Sequence, residues 1–138
     1  MANAGKNKKW LHGFILPLCL TLTACGSGEV AVKEAAQLRW NALINGDLGA
    51  AYQYYTDAFR ETVPLQLFRK QTTGVGLWNK AQVASVKCDE SGKRCDAEVK
   101  VTVAMKMRGL PKPVETSDTV HETWVKEGVF SDWRYIKK

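Results

Sequence analysis

The chain has 138 residues, a length that fits one domain. It carries 20 Lys and Arg against 14 Asp and Glu, a formal charge of +6. Lys6, Lys8 and Lys9 precede an apolar run, and the remainder has 17 basic and 14 acidic residues, a charge of +3. So small an excess, without a basic stripe, argues against nucleic acid as a partner.

The first 24 residues have the three parts of an export signal. Residues 1–9 are polar and basic, and residues 10–24 are almost wholly apolar or small. The apolar run is shorter than the roughly 20 residues that a membrane-spanning helix needs. Pro17 and the clustered lysines argue against a buried N-terminal helix. Residues 1–24 are therefore predicted to be a signal peptide.

The end of this leader, Leu22-Thr23-Ala24-Cys25, resembles the lipobox of bacterial lipoproteins. The resemblance implies cleavage before Cys25, a diacylglycerol on its thiol, and acylation of the new amine. Cys25 would then anchor the protein in a membrane, with residues 25–29 as a lipidated tether. In the lipoproteins of enteric bacteria an aspartate after the cysteine tends to retain the protein at the inner membrane, so Gly26 implies the outer membrane, where we expect the protein to face the periplasm. A chance match inside an ordinary leader is the alternative.

Two further cysteines, Cys88 and Cys95, flank the polar stretch "DESGKR". Pairing them as neighbours on two strands puts Val86 opposite Ala97 and Ala84 opposite Val99. Because this collects apolar residues on one face, a cross-strand disulfide is predicted. A metal site, a redox pair and free thiols are the alternatives. Ligands for a metal are lacking nearby, and no metal or cofactor is predicted.

Helices are predicted before residue 75. Residues 30–45 have a wide apolar stripe, and Gly46 follows as a stop signal. Asp47 can cap a second helix at residues 48–56. A third helix is expected to begin at Pro64 and to end before Gly74.

Strands are predicted after residue 75. Residues 95–107 alternate strictly, which places Cys95, Ala97, Val99, Val101, Val103, Met105 and Met107 on one face. Further strands are expected at 115–127 and 132–137. The order predicts an α+β fold, with about three N-terminal helices packed on a curved antiparallel sheet of about four strands.

The segments "RWNALINGDLGAAYQYYTDAFR" (39–60) and "ETWVKEGVFSDWRYI" (122–136) resemble the nuclear transport factor two-like superfamily of cystatin-like α+β cones. The resemblance implies one cone domain at residues 30–138, with a cavity between helices and sheet. This fold hosts enzymes, binding proteins and assembly modules, so the resemblance does not choose among functions.

An aromatic set is the strongest candidate for a ligand pocket. The residues that could line it for a small apolar ligand are Trp40, Tyr52, Tyr55, Trp78, Met105 and Trp124. The same rings could equally form the core. The candidate catalytic groups have more ordinary alternatives: a sheet position for His121, helix caps or turns for Asp47 and Asp57. Which face of strand 115–127 points inward, that of Glu122 or that of His121, is left open.

No catalytic constellation emerges, so a non-catalytic role is predicted. We expect a lipid-anchored cell-envelope protein that binds a protein partner in or near the outer membrane. A periplasmic carrier or sensor of a small apolar ligand is the alternative, and an isomerase- or cyclase-like enzyme is less expected. An exposed apolar patch would favour the first, a deep ring-lined cavity the second, and a buried acid beside Tyr or His the third.

Overall fold

The computed structural model describes residues 27–128 and 132–138. The predicted signal peptide, the lipobox and Cys25 lie outside the described residues. Within the described ranges, no helix has both the length and the apolar composition needed to span a membrane.

Within the described part of the chain, four helices come first: α1 (Ser27–Ile44), α2 (Leu48–Tyr52), α3 (Asp57–Thr62) and α4 (Leu65–Gln71). The described part of α1 includes residues 27–29, which precede the predicted start at residue 30, so the last part of the expected tether is helical. The predicted helix at 48–56 ends at Tyr52. A separate helix then begins because the Thr56 hydroxyl accepts a hydrogen bond from the Phe59 amide, at 3.4 Å.

Four antiparallel strands follow in the order β1-β2-β3-β4. They are β1 (Trp78–Cys88), β2 (Arg94–Met105), β3 (Val114–Lys126) and β4 (Trp133–Ile136). The predicted α+β class and the meander of strands are confirmed. The sheet has an open shape with helices on one face, which fits a cone-like domain.

The register near the turn agrees with the prediction, and the register farther along β1 differs. Val86 pairs with Ala97, as predicted, but Val83 rather than Ala84 pairs with Val99. An irregularity between Val83 and Ser85 shifts the strand by one residue, as a β-bulge does. The sequence alternation alone does not locate this extra residue.

The core lies between α1 and the sheet. Helix α1 buries one stripe against β1 and β2, and the largest members of the cluster are Val32, Trp40, Leu43, Val99, Trp124 and Trp133. A smaller cluster of Tyr52, Tyr55 and Phe68 joins the short helices. Burial of apolar area stabilises both clusters, at roughly 25 cal/mol per Å².

Helix α1 also protects the edge of strand β1. The Gln37 side chain donates to the Ala81 carbonyl oxygen, at 2.9 Å, and accepts from the Val83 amide, at 3.2 Å. One amide side chain therefore satisfies two backbone groups that face away from β2. An edge strand with its backbone groups occupied is a poor template for pairing with another chain.

Candidate functional site

A buried glutamate on β3 accepts hydrogen bonds from three side chains in the interior of the domain. Glu122 is 2% exposed, so the face of β3 that carries it points inward. Its Oε1 accepts from Arg39 Nη1, at 2.7 Å, and from Trp40 Nε1, at 2.8 Å. Its Oε2 accepts from Trp124 Nε1, at 3.0 Å. The carboxylate thus links helix α1 to strand β3 through charge-assisted hydrogen bonds.

Glu122 and its three donors, together with the rings of Tyr55 and Tyr135, form what we call the interior cluster, and Arg39 is its cation. Its guanidinium lies 4.0 Å from the centre of the Tyr135 ring and 5.0 Å from that of Tyr55, distances typical of cation–π contacts. Arg39 Nη2 also donates to the Tyr55 hydroxyl, at 3.0 Å. Burial alone would lower the pKa of Arg39, but the Glu122 carboxylate and the tyrosines outweigh it and raise that pKa.

The interior cluster is organised for structure more than for proton transfer. Both oxygens of Glu122 are engaged by donors of the protein itself, so neither oxygen is positioned to take a proton from a bound molecule. Sequence reasoning named Glu122 but did not choose it. The available signal was that Glu122 shares one face of β3 with Val120 and Trp124. If that face is buried, the carboxylate must have hydrogen-bond partners inside the domain.

A cleft of about 210 Å³ opens beside the cluster. Ligand pockets more often measure about 300–1,000 Å³. Three of the predicted pocket residues, Trp40, Tyr55 and Trp78, line it together with Arg39, Leu43, Gln71, Thr72, Thr73, Tyr135 and Lys137. Larger grooves, of about 460 and 580 Å³, border the first half of α1.

The other three predicted pocket residues do not line the cleft. Trp124 is fully buried in the core, and Tyr52 belongs to the smaller cluster, where its hydroxyl donates to the Val63 carbonyl oxygen, at 2.7 Å. Met105 is 45% exposed, because it lies at the end of β2, where the helices no longer cover the sheet. The six residues therefore do not form one pocket.

The remaining polar candidates have structural positions. The His121 side chain is 73% exposed on the outer face, 3.8 Å from Glu98. Asp47 caps α2 by accepting from the Ala50 amide, at 3.0 Å, and Asp57 begins α3, where it pairs with Arg60. No group of three or more metal-ligating side chains occurs in the described parts of the chain.

The disulfide between Cys88 and Cys95 is present and closes the β1–β2 hairpin. The two cysteines are directly opposite each other in the register, as the alternation predicted. Cys95 is buried in the main core, where the bridge fixes the end of the sheet that meets the start of α1. Gly28 of α1 lies there, with Cys88 Sγ 3.5 Å from the place a Cβ would take.

The opposite end of the sheet exposes apolar side chains. Among the described residues, nine large hydrophobic side chains are exposed, and five of them gather there. We call these five the distal tip: Leu77, Met105, Met107, Leu110 and Val114. Met105 pairs with Val114, and the Ala104 amide donates to the Leu77 carbonyl oxygen, at 3.0 Å. Met107 and Leu110 occupy the turn between β2 and β3, and each is 54% exposed.

The distal tip is exposed because the sheet extends past its cover. The first six residues of β3, Val114–Thr119, are exposed on both faces, whereas Glu122, Thr123 and Trp124 are buried. The short strand β4 pairs only with residues 123–126 of β3. The sequence alternation placed Met105 and Met107 on the same face as Val99, although the interleaved Lys106 and Arg108 were a signal of exposure.

Comparisons with known proteins bear on the fold. No protein-family model matches the chain, and no curated protein matches it significantly. A SEC-C motif-containing protein from Psychrobacter arcticus is similar over 77% of this chain, with a TM-score of 0.55 and 15% identity. The chain spans 58% of the length of that protein. At this identity the likeness supports the fold and carries nothing about activity.

Two other solved structures are more distant in shape. A candidate polyketide cyclase from Xanthomonas campestris pv. campestris covers 81% of this chain and 93% of its own, at 16% identity and a TM-score of 0.36. The intermembrane space region of the chloroplast protein ARC6 covers 76% and 92%, at 14% identity and a TM-score of 0.38. Neither TM-score supports an inference about this chain.

Proposed function

We propose that this protein is a non-catalytic, lipid-anchored protein of the bacterial cell envelope that binds a protein partner through its distal tip. The observation that carries the proposal is the gathering of five exposed apolar side chains at one end of the sheet. Contiguous exposed apolar patches on small domains mark interaction surfaces. Within the described residues, no helix or strand covers this one.

The anchor is proposed from the lipobox resemblance, with Cys25 acylated and residues 1–24 removed. Ser27, the first described residue of α1, follows Cys25 by two positions in the sequence, and Gly28 lies at the disulfide end of the sheet. Strand β1 spans 11 residues from that end to the distal tip, about 35 Å at the usual rise per residue. An acylated Cys25 would therefore hold the disulfide end at the bilayer, with the distal tip at the opposite end of the sheet.

The alternative functions find less support. The cleft beside Arg39 is small for a carrier of an apolar ligand, and the larger grooves beside α1 are bordered by charged side chains such as Glu34, Lys126 and Asp132. A buried acid close to a tyrosine is present, as an enzyme of this fold would need, but Glu122 is fully occupied by Arg39 and two indoles. We therefore propose no catalytic step. Gly26 supports the outer membrane as the location.

The test of the anchor uses the full chain produced in a Gram-negative host. We expect mass spectrometry to find a protein that begins at Cys25 and carries acyl chains, and we expect it to sediment with outer membranes. The Cys25→Ser variant is the control and should leave the membrane fraction. Wild-type protein that remains unacylated in the soluble fraction would contradict the anchor.

The test of the tip uses a photo-crosslinking amino acid, p-benzoylphenylalanine, in the organism that encodes the protein. Placed at Met107, it should form a discrete adduct with another protein on irradiation. Placed at Lys87, exposed on β1 at the disulfide end, it should form none. Equal adducts from both positions, or no adduct from Met107, would overturn partner binding at the tip.

A further inference from the structure

The loop of the distal tip is basic as well as apolar. From Val101 to Val114 the sequence contains Lys106, Arg108 and Lys112 and no acidic residue. Lys106, Arg108 and Lys112 belong to the turn that carries Met107 and Leu110, and all three are exposed. None of them forms an ion pair with a carboxylate of the described residues. The turn is compact, since the Leu110 amide donates to the Met107 carbonyl oxygen, at 3.2 Å.

This combination restricts what can cover the tip. Burying Met107 and Leu110 against a partner brings the three cations close to the new interface. Cations that lose water without gaining counter-charges weaken binding, whereas carboxylates facing them restore the interaction and speed the encounter. An apolar or basic partner surface would leave the charges uncompensated.

The same argument disfavours two other occupants. A second copy of this chain docked tip to tip would set like charges against each other, which costs affinity. A bilayer with anionic lipids offers the right charge, but the tip lies about 35 Å along the sheet from the disulfide end, which is the end that the proposed anchor at Cys25 would hold at the bilayer. The favoured occupant is therefore another protein.

We propose that the partner presents an acidic surface to the distal tip, with carboxylates arranged around an apolar centre that receives Met107 and Leu110. This inference rests on the proposed function, because it names the chemistry of the partner at the same surface. Lys106, Arg108 and Lys112 form the basic rim. Attraction across such a rim weakens as salt screens it.

The experiment measures the adduct from p-benzoylphenylalanine at Met107 in isolated membranes as the salt concentration rises. Raising sodium chloride from about 50 to about 500 mM should lower the yield several-fold, since the screening length falls well below 10 Å. The variant Lys106→Glu/Arg108→Glu/Lys112→Glu should lower the yield about tenfold at low salt.

The matched control reverses three exposed lysines of the outer face, Lys80→Glu/Lys87→Glu/Lys100→Glu. It changes the net charge by the same amount and should alter the yield by less than about twofold. Both variants should keep the thermal midpoint of the parent, which excludes unfolding as the cause. Sequencing of the cross-linked peptide should show an acidic segment.

The outcomes separate the two proposals. An adduct with a protein whose yield ignores both salt and the tip charges leaves the proposed function in place and overturns the acidic partner. An adduct of twice the protein mass identifies a second copy of this chain as the partner and also overturns the acidic partner. No protein adduct at any salt concentration, or an adduct with lipid alone, overturns partner binding and the acidic partner together.

Discussion

The interior cluster and the distal tip distribute polar and apolar groups in opposite ways. Around Glu122 the chain buries an acid and a base, yet supplies the acid with three donors from its own residues. At the tip it exposes apolar side chains, yet supplies no cover for them from the described residues. A buried charge whose hydrogen bonds are all made within the domain connects its elements to one another, whereas an exposed apolar surface indicates a binding partner.

Breaking the interior cluster should have the largest effect on stability. Glu122→Gln keeps the size of the side chain but removes the charge that faces Arg39, whose side chain is 6% exposed. An uncompensated buried cation costs about 3–5 kcal/mol. Urea unfolding followed by tryptophan fluorescence should show the free energy of unfolding lowered by that amount.

The matched control for this substitution is Glu98→Gln on the outer face of the same sheet. Its carboxylate is 51% exposed and lies 3.8 Å from His121, so its loss should change the free energy of unfolding by less than about 0.5 kcal/mol. Equal losses in the two variants would show that Glu122 has no special role in the interior.

Removing the disulfide should have the second largest effect. The Cys88–Cys95 bridge closes a loop with a sequence separation of 7, which corresponds to about 2.5 kcal/mol in the chain-entropy account. The Cys88→Ser/Cys95→Ser variant should lose that much stability in urea titrations. Dithiothreitol should lower wild-type stability equally and leave the double variant unchanged; a further loss in the variant would place the effect elsewhere.

The regular parts of the molecule could be predicted from the sequence, and the exceptions have physical reasons. The alternation of Cys95, Ala97, Val99 and Val101 gave the buried face of β2, and the spacing of the cysteines gave the hairpin. The same alternation placed Met105 inside as well. A period of two shows which face a side chain shares, but not how far the helices reach along that face.

The interior cluster shows a second limit of sequence reasoning. Arg39 and Glu122 are 83 residues apart, and no local pattern connects a helix position with a strand position across that distance. Two inward faces were conceivable for β3, and only packing against α1 selects the one that carries Trp124. The polar candidates His121, Asp47 and Asp57 were easier, because solvation and capping are local properties.

Removing the hydrogen bonds between α1 and the edge of β1 should have an intermediate effect on the free energy of unfolding. Gln37→Ala leaves the Ala81 carbonyl and the Val83 amide without their partner on the part-buried side of β1. Loss of these hydrogen bonds should lower the free energy of unfolding by about 1–2 kcal/mol. Asn41→Ala, which removes only an exposed contact with Gln37, is the control and should cost less than about 0.5 kcal/mol. Similar losses in both variants would contradict protection of the edge.

A smaller effect on the free energy of unfolding, confined to alkaline solution, is expected from Tyr135, whose ring packs against the Arg39 guanidinium. Burial raises the pKa of Tyr135, and the nearby Arg39 opposes that rise in part. Because the folded pKa lies above the unfolded value of about 10, the neutral hydroxyl contributes its full stability below that pH. The contribution is lost as pH rises through the folded pKa.

Urea titrations between about pH 8 and pH 11 should therefore show a decline that is steeper in the wild type than in Tyr135→Phe. The phenylalanine variant keeps a ring over the guanidinium and removes only the titration. Parallel declines in the two proteins would assign the alkaline loss to lysines or other tyrosines.

The smallest effect on stability is expected where the effect on binding is largest. Met107→Ser/Leu110→Ser replaces two side chains that are each 54% exposed, so the free energy of unfolding should change by less than about 0.5 kcal/mol. A loss above about 1 kcal/mol would mean that these side chains pack inside the domain. Because Met107 is substituted here, p-benzoylphenylalanine is placed at Val114, another residue of the distal tip, where the parent should also form the adduct. Unchanged stability, together with loss of that adduct in the double variant, would show that the tip interacts with another protein and contributes little to the fold.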